Sequence, residues 1–202
     1  MARLEVDKYE PLHKEFVHKP IVFVVDMING FCKEGALADE AIMDIVPAQK
    51  EMMNILGGHN VAVCDFHSNK SREFKFFPPH CEMGTKEPMI IDELKENIDT
   101  YMFKDSTNAF VTTEFMEFWN EYEDEFEDVI IIGCCTDICI MQFALTLNAF
   151  FNEMGDEKHR VIVPADCVDT YNTGVVHDAY KYNDFALSTM FANGVTVVKN
   201  II

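Results

Sequence analysis

Short runs of consecutive apolar, mostly β-branched residues recur along the chain and constrain its fold more than any other feature. The clearest are residues 21–25 and 129–132, and shorter runs cover 61–64, 161–163 and 195–198. Runs without polar alternation are typical of strands buried on both faces, as in a parallel sheet covered by helices.

Patterns typical of amphipathic helices separate these runs. Pro47 can open a helix that ends at Gly57, and Thr112 can cap another. The other elements expected are a helix after Gly133, helices at about 92–98 and 173–192, and a short strand at 100–103. This alternation predicts a three-layer α/β/α fold of Rossmann type, with a mostly parallel and roughly six-stranded sheet.

The composition limits the partners that the chain can have. Its 16 Lys and Arg face 35 Asp and Glu, and the resulting net charge of -19 repels nucleic acid and anionic membranes. No apolar run approaches the roughly 20 residues of a membrane-spanning helix. Seven cysteines without a regular framework, and an N-terminus without a signal-type apolar core, favour the cytoplasm. We expect one domain over residues 1–202, with a polar lead-in at 1–19.

A strand-turn-helix elbow follows the run at 129–132. The run breaks at Gly133 and a helical pattern begins, which places Cys139 in the first turn of the helix. A thiol there lies at the positive end of the helix dipole, which favours the thiolate. Cys134, Cys135 and Cys139 are equally compatible with small hydrophobic residues of the core. The elbow alone leaves both interpretations open.

Charged residues end two other predicted strands. Asp26 follows the run at 21–25, and Lys104 follows the strand at 100–103. The carboxyl ends of parallel strands share one edge, so both groups can converge on Cys139. There an ammonium can stabilise a thiolate, a carboxylate can accept and return its proton, and backbone amides can hold an oxyanion. The alternative is that the aspartate only caps a local turn.

A candidate metal site surrounds the stretch 67–80, which we call the metal loop. It begins a longer segment, up to Pro88, that has no helical or strand periodicity. One residue separates Asp65 from His67, which puts both side chains on one face of an extended segment, and the loop can return His80 to the same ion. Glu73 is a fourth candidate. Such oxygen and nitrogen ligands suit Zn²⁺, Mn²⁺ or Fe²⁺. The alternative is that these histidines are ordinary hydrogen-bonding residues.

Five motifs, taken as a set, resemble those of the isochorismatase-like cysteine hydrolases and span residues 21–199. They are Asp26-x-x-Asn29-Gly30-Phe31, Asp65-x-His67, Pro78-Pro79-His80-Cys81-x-x-Gly84-Thr85, Lys104 before Asn108-Ala109-Phe110, and Gly133-x-x-Thr136-Asp137-x-Cys139. Within that family, the second and third motifs are similar to those of the metal-dependent nicotinamidases. The resemblance implies an isochorismatase-like fold and a hydrolase that acts on linear amides.

The resemblance also implies a catalytic mechanism. Asp26, Lys104 and Cys139 would form a triad that hydrolyses nicotinamide to nicotinate and ammonia through a cysteine thioester, in NAD salvage. The backbone amides of Cys135 and Cys139 would form the oxyanion hole. The peptide bond between Cys134 and Cys135 would be cis.

The resemblance further implies a cofactor and a pocket for the substrate ring. Asp65, His67, Glu73 and His80 would hold one divalent ion, Zn²⁺ first with Mn²⁺ or Fe²⁺ as alternatives. Phe31 and Phe77 would line the pocket, and ordinary packing is the alternative for both. The implied partners are the small-molecule substrate nicotinamide and further copies of the chain in a homo-oligomer.

Two stretches depart from the family pattern. Residues 86–88 replace a more usual glycine-alanine pair after the metal loop, and Cys134-Cys135 replaces an apolar-alanine pair. Asp166 matches a recurring family position and is interpreted as structural. Three other interpretations stay open: the same triad acting on another small aromatic or carbamoyl amide, a non-catalytic binding or scaffold protein, and a metal that is purely structural.

Overall fold

The computed structural model describes residues 3–202, and within this range the chain forms six strands and five α-helices. The strands are β1 (Ile21–Val25), β2 (His59–Asp65), β3 (Thr100–Lys104), β4 (Asp128–Gly133), β5 (Arg160–Pro164) and β6 (Thr196–Val198). The helices are α1 (Asn29–Cys32), α2 (Val46–Leu56), α3 (Thr113–Tyr122), α4 (Met141–Met154) and α5 (Ala179–Ala192). One π-helical turn, Thr136–Ile140, joins β4 to α4.

All six strands form one parallel sheet in the order β3-β2-β1-β4-β5-β6. The two strands with the clearest apolar runs, β1 and β4, lie side by side at its centre and are buried along their whole length. Because every strand runs in the same direction, all six carboxyl ends lie at one edge. The predicted α/β fold with a six-stranded parallel sheet is confirmed.

The alternation of side chains along each strand divides the core into two layers. On one face of the sheet, Phe23 of β1 packs with Phe115 and Trp119 of α3 and with Phe143 of α4. On the other face, residues of β1 pack in one cluster with Met52 and other residues of α2. The sheet is therefore covered by helices on both faces, which holds its carboxyl edge rigidly.

Two predicted helices have different boundaries. The helix expected from about 173 begins at Ala179, because the carboxylate of Asp178 accepts a hydrogen bond from the backbone N–H of Lys181 and caps the helix there. The helix expected at 92–98 is only the 3-10 turn Lys95–Asn97. The chain leaves helical geometry there because the backbone N–H of Asp99 donates to the carbonyl of Asn60 and leads directly into β3.

The described part of the lead-in packs along the C-terminal segment. The backbone N–H of Leu12 donates to the carbonyl of Asn200, and that of Ile202 donates to the carbonyl of Leu12. Residues 1 and 2 of the predicted lead-in lie outside the described residues, and the single-domain organisation stays a prediction. Across residues 3–202, every helix is too short or too polar to cross a bilayer.

Candidate active site and metal centre

The structure brings Asp26, Lys104 and Cys139 together at the carboxyl edge of the sheet. Asp26 follows β1, Lys104 is the last residue of β3, and Cys139 lies in the π-helical turn after β4. Nζ of Lys104 is 2.7 Å from Oδ2 of Asp26 and 3.8 Å from Sγ of Cys139. The side chain of Lys104 therefore reaches past the end of β2, the strand between β3 and β1.

The backbone at the ends of β1 and β4 is tightly constrained. Asp26 has a φ of 54°, and its backbone N–H donates to the carbonyl of Val63. Gly133 has a φ of 119°, and a Cβ there would lie 1.9 Å from the carbonyl oxygen of Val25, so only glycine fits. The next peptide bond, between Cys134 and Cys135, is cis, as the resemblance implies.

Asp26 faces the other charged groups rather than a local turn. Its Oδ1 accepts a hydrogen bond from the backbone N–H of Asp65 at 2.9 Å. The backbone N–H groups of Asn29 and Gly30 donate instead to the carbonyls of Met89 and Glu87. The interpretation of Asp26 as a turn cap is therefore not supported by the structure.

Two buried carboxylates surround the buried ammonium of Lys104. Besides the contact with Asp26, Nζ of Lys104 forms an ion pair with Oδ1 of Asp65. Burial works against the charged form of Lys104, but the two carboxylates outweigh it and raise the pKa well above its usual value. Burial and the neighbouring Asp65 raise the pKa of Asp26 to about 6, although Lys104 opposes them. Lys104 thus stays charged, while Asp26 can take up a proton near neutral pH.

The surroundings of the Cys139 thiol disfavour its thiolate form. Its burial raises the pKa well above the usual value, Lys104 opposes this effect, and the two nearby carboxylates add to it. The helix dipole that was expected to favour the thiolate is therefore opposed by burial and by the two carboxylates. Because the residue is only 6% exposed, the loss of hydration outweighs both the helix dipole and the ammonium. A base must remove the proton when substrate is bound.

The four predicted metal ligands also lie together. One ligand atom from each of Asp65, His67, Glu73 and His80 falls within 4.8 Å of the other three. Asp65 is the last residue of β2, and Glu73 lies in the 3-10 turn Arg72–Lys75, where Ser71 accepts a hydrogen bond from its backbone N–H. All members except the partly buried Glu73 are buried.

Both imidazoles direct Nε2 toward the cluster, because Nδ1 is engaged elsewhere. Nδ1 of His67 donates to the Asp105 carboxylate, and Nδ1 of His80 donates to the Pro78 carbonyl at 2.8 Å. Nε2 of His67 is buried, has no hydrogen-bond partner among residues 3–202, and lies 3.6 Å from Oδ2 of Asp65. A neutral imidazole in this orientation presents a lone pair, which is what a metal ligand requires.

The electrostatic environment of the cluster favours a positive charge. Burial works against the charged form of His67, but the carboxylates of Asp65 and Asp105 outweigh it and raise the pKa to about 9. Burial alone would likewise raise the pKa of Asp65, but Lys104 and the two imidazoles lower it. The orphaned Nε2, the mixed oxygen and nitrogen donors and this field fit a divalent cation.

A cavity of about 420 Å³ connects the two groups of residues. Its lining includes Cys139, members of the metal cluster and both predicted aromatic residues, Phe31 and Phe77. The ring centroids of Phe31 and Phe77 lie 5.7 Å and 6.1 Å from that of His80. Cys135, whose backbone amide was expected to form part of the oxyanion hole, also lines the cavity.

Several residues that shape the site were not singled out from the sequence as functional. Oδ2 of Asp137 is 3.0 Å from Nε2 of His177, whose ring is stacked between Tyr171 and Tyr182 at centroid distances of 3.8 Å and 3.9 Å. This stack fastens the segment 171–173, which lines the cavity, to the turn that carries Cys139. Its residues share no strand or helix, so no periodicity could reveal them. Asp105 had a visible signal, since it directly follows Lys104.

The two departures from the family pattern lie at the edge of the site. Glu87 accepts a hydrogen bond from the backbone N–H of Cys81 at 2.7 Å, so it anchors the end of the metal loop. Sγ of Cys134 donates to the backbone carbonyl of Asp26 at 3.2 Å.

Asp166 lies in the turn after β5, and its backbone N–H donates to the carbonyl of Lys199. It does not line the cavity, so its interpretation as structural stays a prediction.

Comparison with known proteins identifies the class to which this fold and cavity belong. Residues 20–200 match the isochorismatase domain family. The chain is 27% identical over 190 residues to nicotinamidase 1 of Arabidopsis thaliana, covering 85% of this chain and 75% of the relative. The chain therefore belongs to the isochorismatase family.

Solved structures share the fold over nearly the whole chain. A nicotinamidase from Bacillus subtilis matches with a TM-score of 0.71 and 22% identity, covering 90% of this chain and 99% of that one. The pyrazinamidase of Pyrococcus horikoshii in complex with zinc matches with a TM-score of 0.69 and 20% identity, covering 90% and 99%. These likenesses show that the chain shares the fold of these enzymes.

Proposed function

We propose that this protein is a nicotinamidase, an amide hydrolase that converts nicotinamide to nicotinate and ammonia. The observation that carries the proposal is one cavity lined both by the nucleophile Cys139 and by three members of the metal cluster, Asp65, Glu73 and His80. A pyridine carboxamide has the matching chemistry, since it carries an electrophilic carbon on one side of its ring and a basic nitrogen on the other. The match to the Arabidopsis nicotinamidase supports the same substrate.

The reaction begins with the thiol of Cys139. Asp26 accepts the thiol proton, and the sulfur attacks the carboxamide carbon, which forms a C–S bond and places a negative charge on the oxygen. The backbone amides of Cys135 and Cys139 stabilise this oxyanion. Lys104 stays protonated and stabilises the negative charge that moves between the sulfur and Asp26. The raised pKa of Asp26, about 6, suits a group that must take up and return a proton near neutral pH.

The tetrahedral intermediate then collapses to a thioester. The C–N bond breaks, and Asp26 returns its proton to the leaving nitrogen, which departs as ammonia. Water, deprotonated by Asp26, attacks the thioester carbon, the C–S bond breaks, and the product leaves as the acid, which ionises to nicotinate by giving its proton to the released ammonia. The proton on Asp26 passes back to the sulfur, so the free enzyme is restored with its thiol protonated.

The metal cluster and the aromatic residues hold the ring. Asp65, His67, Glu73 and His80 would bind one divalent ion, Zn²⁺ first with Mn²⁺ or Fe²⁺ as alternatives. When bound, this ion supplies a Lewis acid for the pyridine nitrogen or for a water beside it. Phe31 and Phe77 pack against the His80 side of the cavity and offer apolar faces to the ring. Together these residues orient the carboxamide toward Cys139.

The wider biological role follows from this activity and from the composition. Release of nicotinate from nicotinamide assigns the protein to NAD salvage, and the sequence composition predicts a cytoplasmic location. The net charge of -19 makes nucleic acid an unfavourable partner. Assembly into a homo-oligomer stays a prediction from the resemblance.

A comparison of matched amides tests the proposal. Benzamide has the same shape as nicotinamide but lacks the ring nitrogen, so we expect its kcat/KM to be lower by at least about 100-fold. Pyrazinamide keeps a nitrogen at the same ring position and should be hydrolysed, with ammonia release as the measurement. A carbamoyl or other small amide that exceeds nicotinamide by orders of magnitude in kcat/KM would replace it as the substrate.

A further inference from the structure

Asp105 links the metal cluster to the strand that carries Lys104. Lys104 and Asp105 are neighbours at the end of β3, yet their side chains serve different groups: Lys104 contacts Asp26 and Asp65, whereas Asp105 contacts His67. The register of the sheet pairs Lys104 with Asp65, and His67 lies two residues further along. The ion pair of Lys104 with Asp65 and the contact of Asp105 with His67 therefore lie next to each other where β2 and β3 end.

The carboxylate of Asp105 fixes two parts of the metal loop with one oxygen. Its Oδ1 lies 2.5 Å from Nδ1 of His67 and 2.6 Å from Oγ of Ser71. Both contacts must be donated to Asp105, because a carboxylate only accepts hydrogen bonds. Oγ of Ser71 in turn accepts a hydrogen bond from the backbone N–H of Glu73. One carboxylate thus reaches two candidate ligands, His67 directly and Glu73 through the serine.

The segment after Asp105 continues this support. The backbone N–H of Thr107 donates to Oε1 of Glu73 at 2.8 Å, and the Thr107 hydroxyl donates to Gln142 of α4 at 3.1 Å. Residues 105–107 are therefore anchored on a helix of the core at one side and hold the metal loop at the other. The metal loop has no periodic structure of its own over 76–80, so these contacts add to the support of His67 and Glu73.

We propose that Asp105 is a positioning residue for the metal centre, which holds His67 with Nε2 facing the ion and keeps Glu73 in place through Ser71. This inference rests on the metal site of the proposed function. A carboxylate that accepts from the far nitrogen of a metal-bound histidine fixes its tautomer and raises its basicity. Loss of such a partner typically weakens metal binding 10- to 100-fold.

The test measures zinc affinity directly, by competition with a chromogenic chelator, and so needs no turnover. We expect Asp105→Ala to weaken Zn²⁺ binding by 10- to 100-fold, and Asp105→Asn, which keeps an acceptor oxygen but loses the charge, to cause a smaller loss. Glu117→Gln removes one negative charge from an exposed position of α3 and is the matched control, with unchanged affinity. Thermal unfolding of the metal-free proteins shows whether the variants keep the fold.

The outcomes separate this inference from the proposed function. Equal zinc affinity in Asp105→Ala and the unchanged protein would overturn the role of Asp105 and leave the nicotinamidase proposal intact. A similar loss of affinity in Glu117→Gln would also overturn it, because the effect would then be one of overall charge. If the unchanged protein binds no zinc at this cluster, the inference fails, and hydrolysis of nicotinamide by the same preparation decides the proposed function separately. Should Asp105→Ala not fold, Asp105→Asn decides, and an unchanged affinity there counts against the inference.

Discussion

Cys139 of the proposed triad lines the same cavity as three members of the metal cluster, but different kinds of structure place the residues of the two groups. Asp26, Lys104 and Cys139 are attached to the ends of three strands, and all three are nearly inaccessible to solvent. In the metal cluster only Asp65 belongs to a strand, while the other three ligands lie on the chain between β2 and β3. The triad is therefore placed by the register of the sheet, whereas His67 and Glu73 of the metal cluster are held by hydrogen bonds with Asp105, Ser71 and Thr107.

Because of this difference, we expect the triad to carry out the chemical reaction and the metal cluster to orient the substrate. Residues fixed by a buried parallel sheet hold their positions within the rigid core, which suits covalent and proton-transfer steps. Residues on a loop depend on local contacts, and the bound ion itself adds to their order. Variants of the triad should therefore change the reaction, and variants of the cluster should change binding.

The largest effect is expected for Cys139→Ala. Removal of the nucleophile should lower kcat for nicotinamide by at least about 10³-fold, because no thioester can form. Zinc affinity and thermal stability should change little, since the metal ligands are untouched. Ammonia release is the measurement, and Cys167→Ala, which removes another buried thiol outside the cavity, is the control. Substantial turnover in Cys139→Ala would exclude the proposed mechanism.

Lys104→Met should reduce both activity and stability, unlike Cys139→Ala. The substitution keeps much of the side-chain volume but leaves Asp26 and Asp65 buried without their shared counter-charge. Breaking a buried ion pair in this way typically costs about 3–5 kcal/mol. Urea unfolding of the metal-free protein measures this cost, and Lys50→Met, at an exposed position of α2, controls for the loss of a lysine. A free energy of unfolding within about 1 kcal/mol of the unchanged protein would contradict the role given to Lys104.

Metal removal should lower activity but keep the fold, whereas Lys104→Met should reduce both activity and stability. If the ion orients the ring, chelation should lower kcat/KM for nicotinamide by about 100-fold or more, and added Zn²⁺ should restore it. The metal-free protein should still unfold cooperatively, because the sheet and its core do not depend on the loop. Addition of zinc at 100 times its Kd should then stabilise it by only about 2.7 kcal/mol. Loss of the folded state on chelation would favour a purely structural metal instead.

The sequence did not predict the triad and the metal cluster equally well. Strand ends can be read from apolar runs, so Asp26, Lys104 and Cys139 could be assigned to one edge before their contacts were known. That Lys104 passes β2 to reach Asp26 depends on strand order, which local patterns do not encode. The raised pKa of the Cys139 thiol is caused first by burial, a property of the whole fold that the expected helix dipole does not include.

The metal loop shows the limit of such prediction more clearly. Asp65, His67 and His80 were recognised by their spacing and by the family resemblance, whereas Asp105, although it directly follows Lys104, was overlooked because nothing in the sequence links it to His67. Its role becomes visible only when the structure shows His67 and Ser71 on the same carboxylate oxygen. Support of this kind comes from residues distant in sequence, which no period of two or 3.6 residues can reveal.

Glu73→Gln should have the smallest effect, and it tests most finely whether the metal cluster and the triad are held independently. Glu73 is the least buried member of the cluster, and its Oε1 already accepts a hydrogen bond from the backbone N–H of Thr107. Glutamine keeps an acceptor for Thr107 but removes the negative charge, so the loop should stay in place while zinc affinity falls by about 10-fold. Chelator competition measures the affinity, and kcat at saturating zinc should remain close to that of the unchanged protein, because the triad is not altered. An unchanged affinity would mean that Asp65, His67 and His80 hold the ion without Glu73. A large fall in kcat at saturating zinc would mean that the position of the metal loop affects the triad at the strand ends, so that the two groups are not held independently.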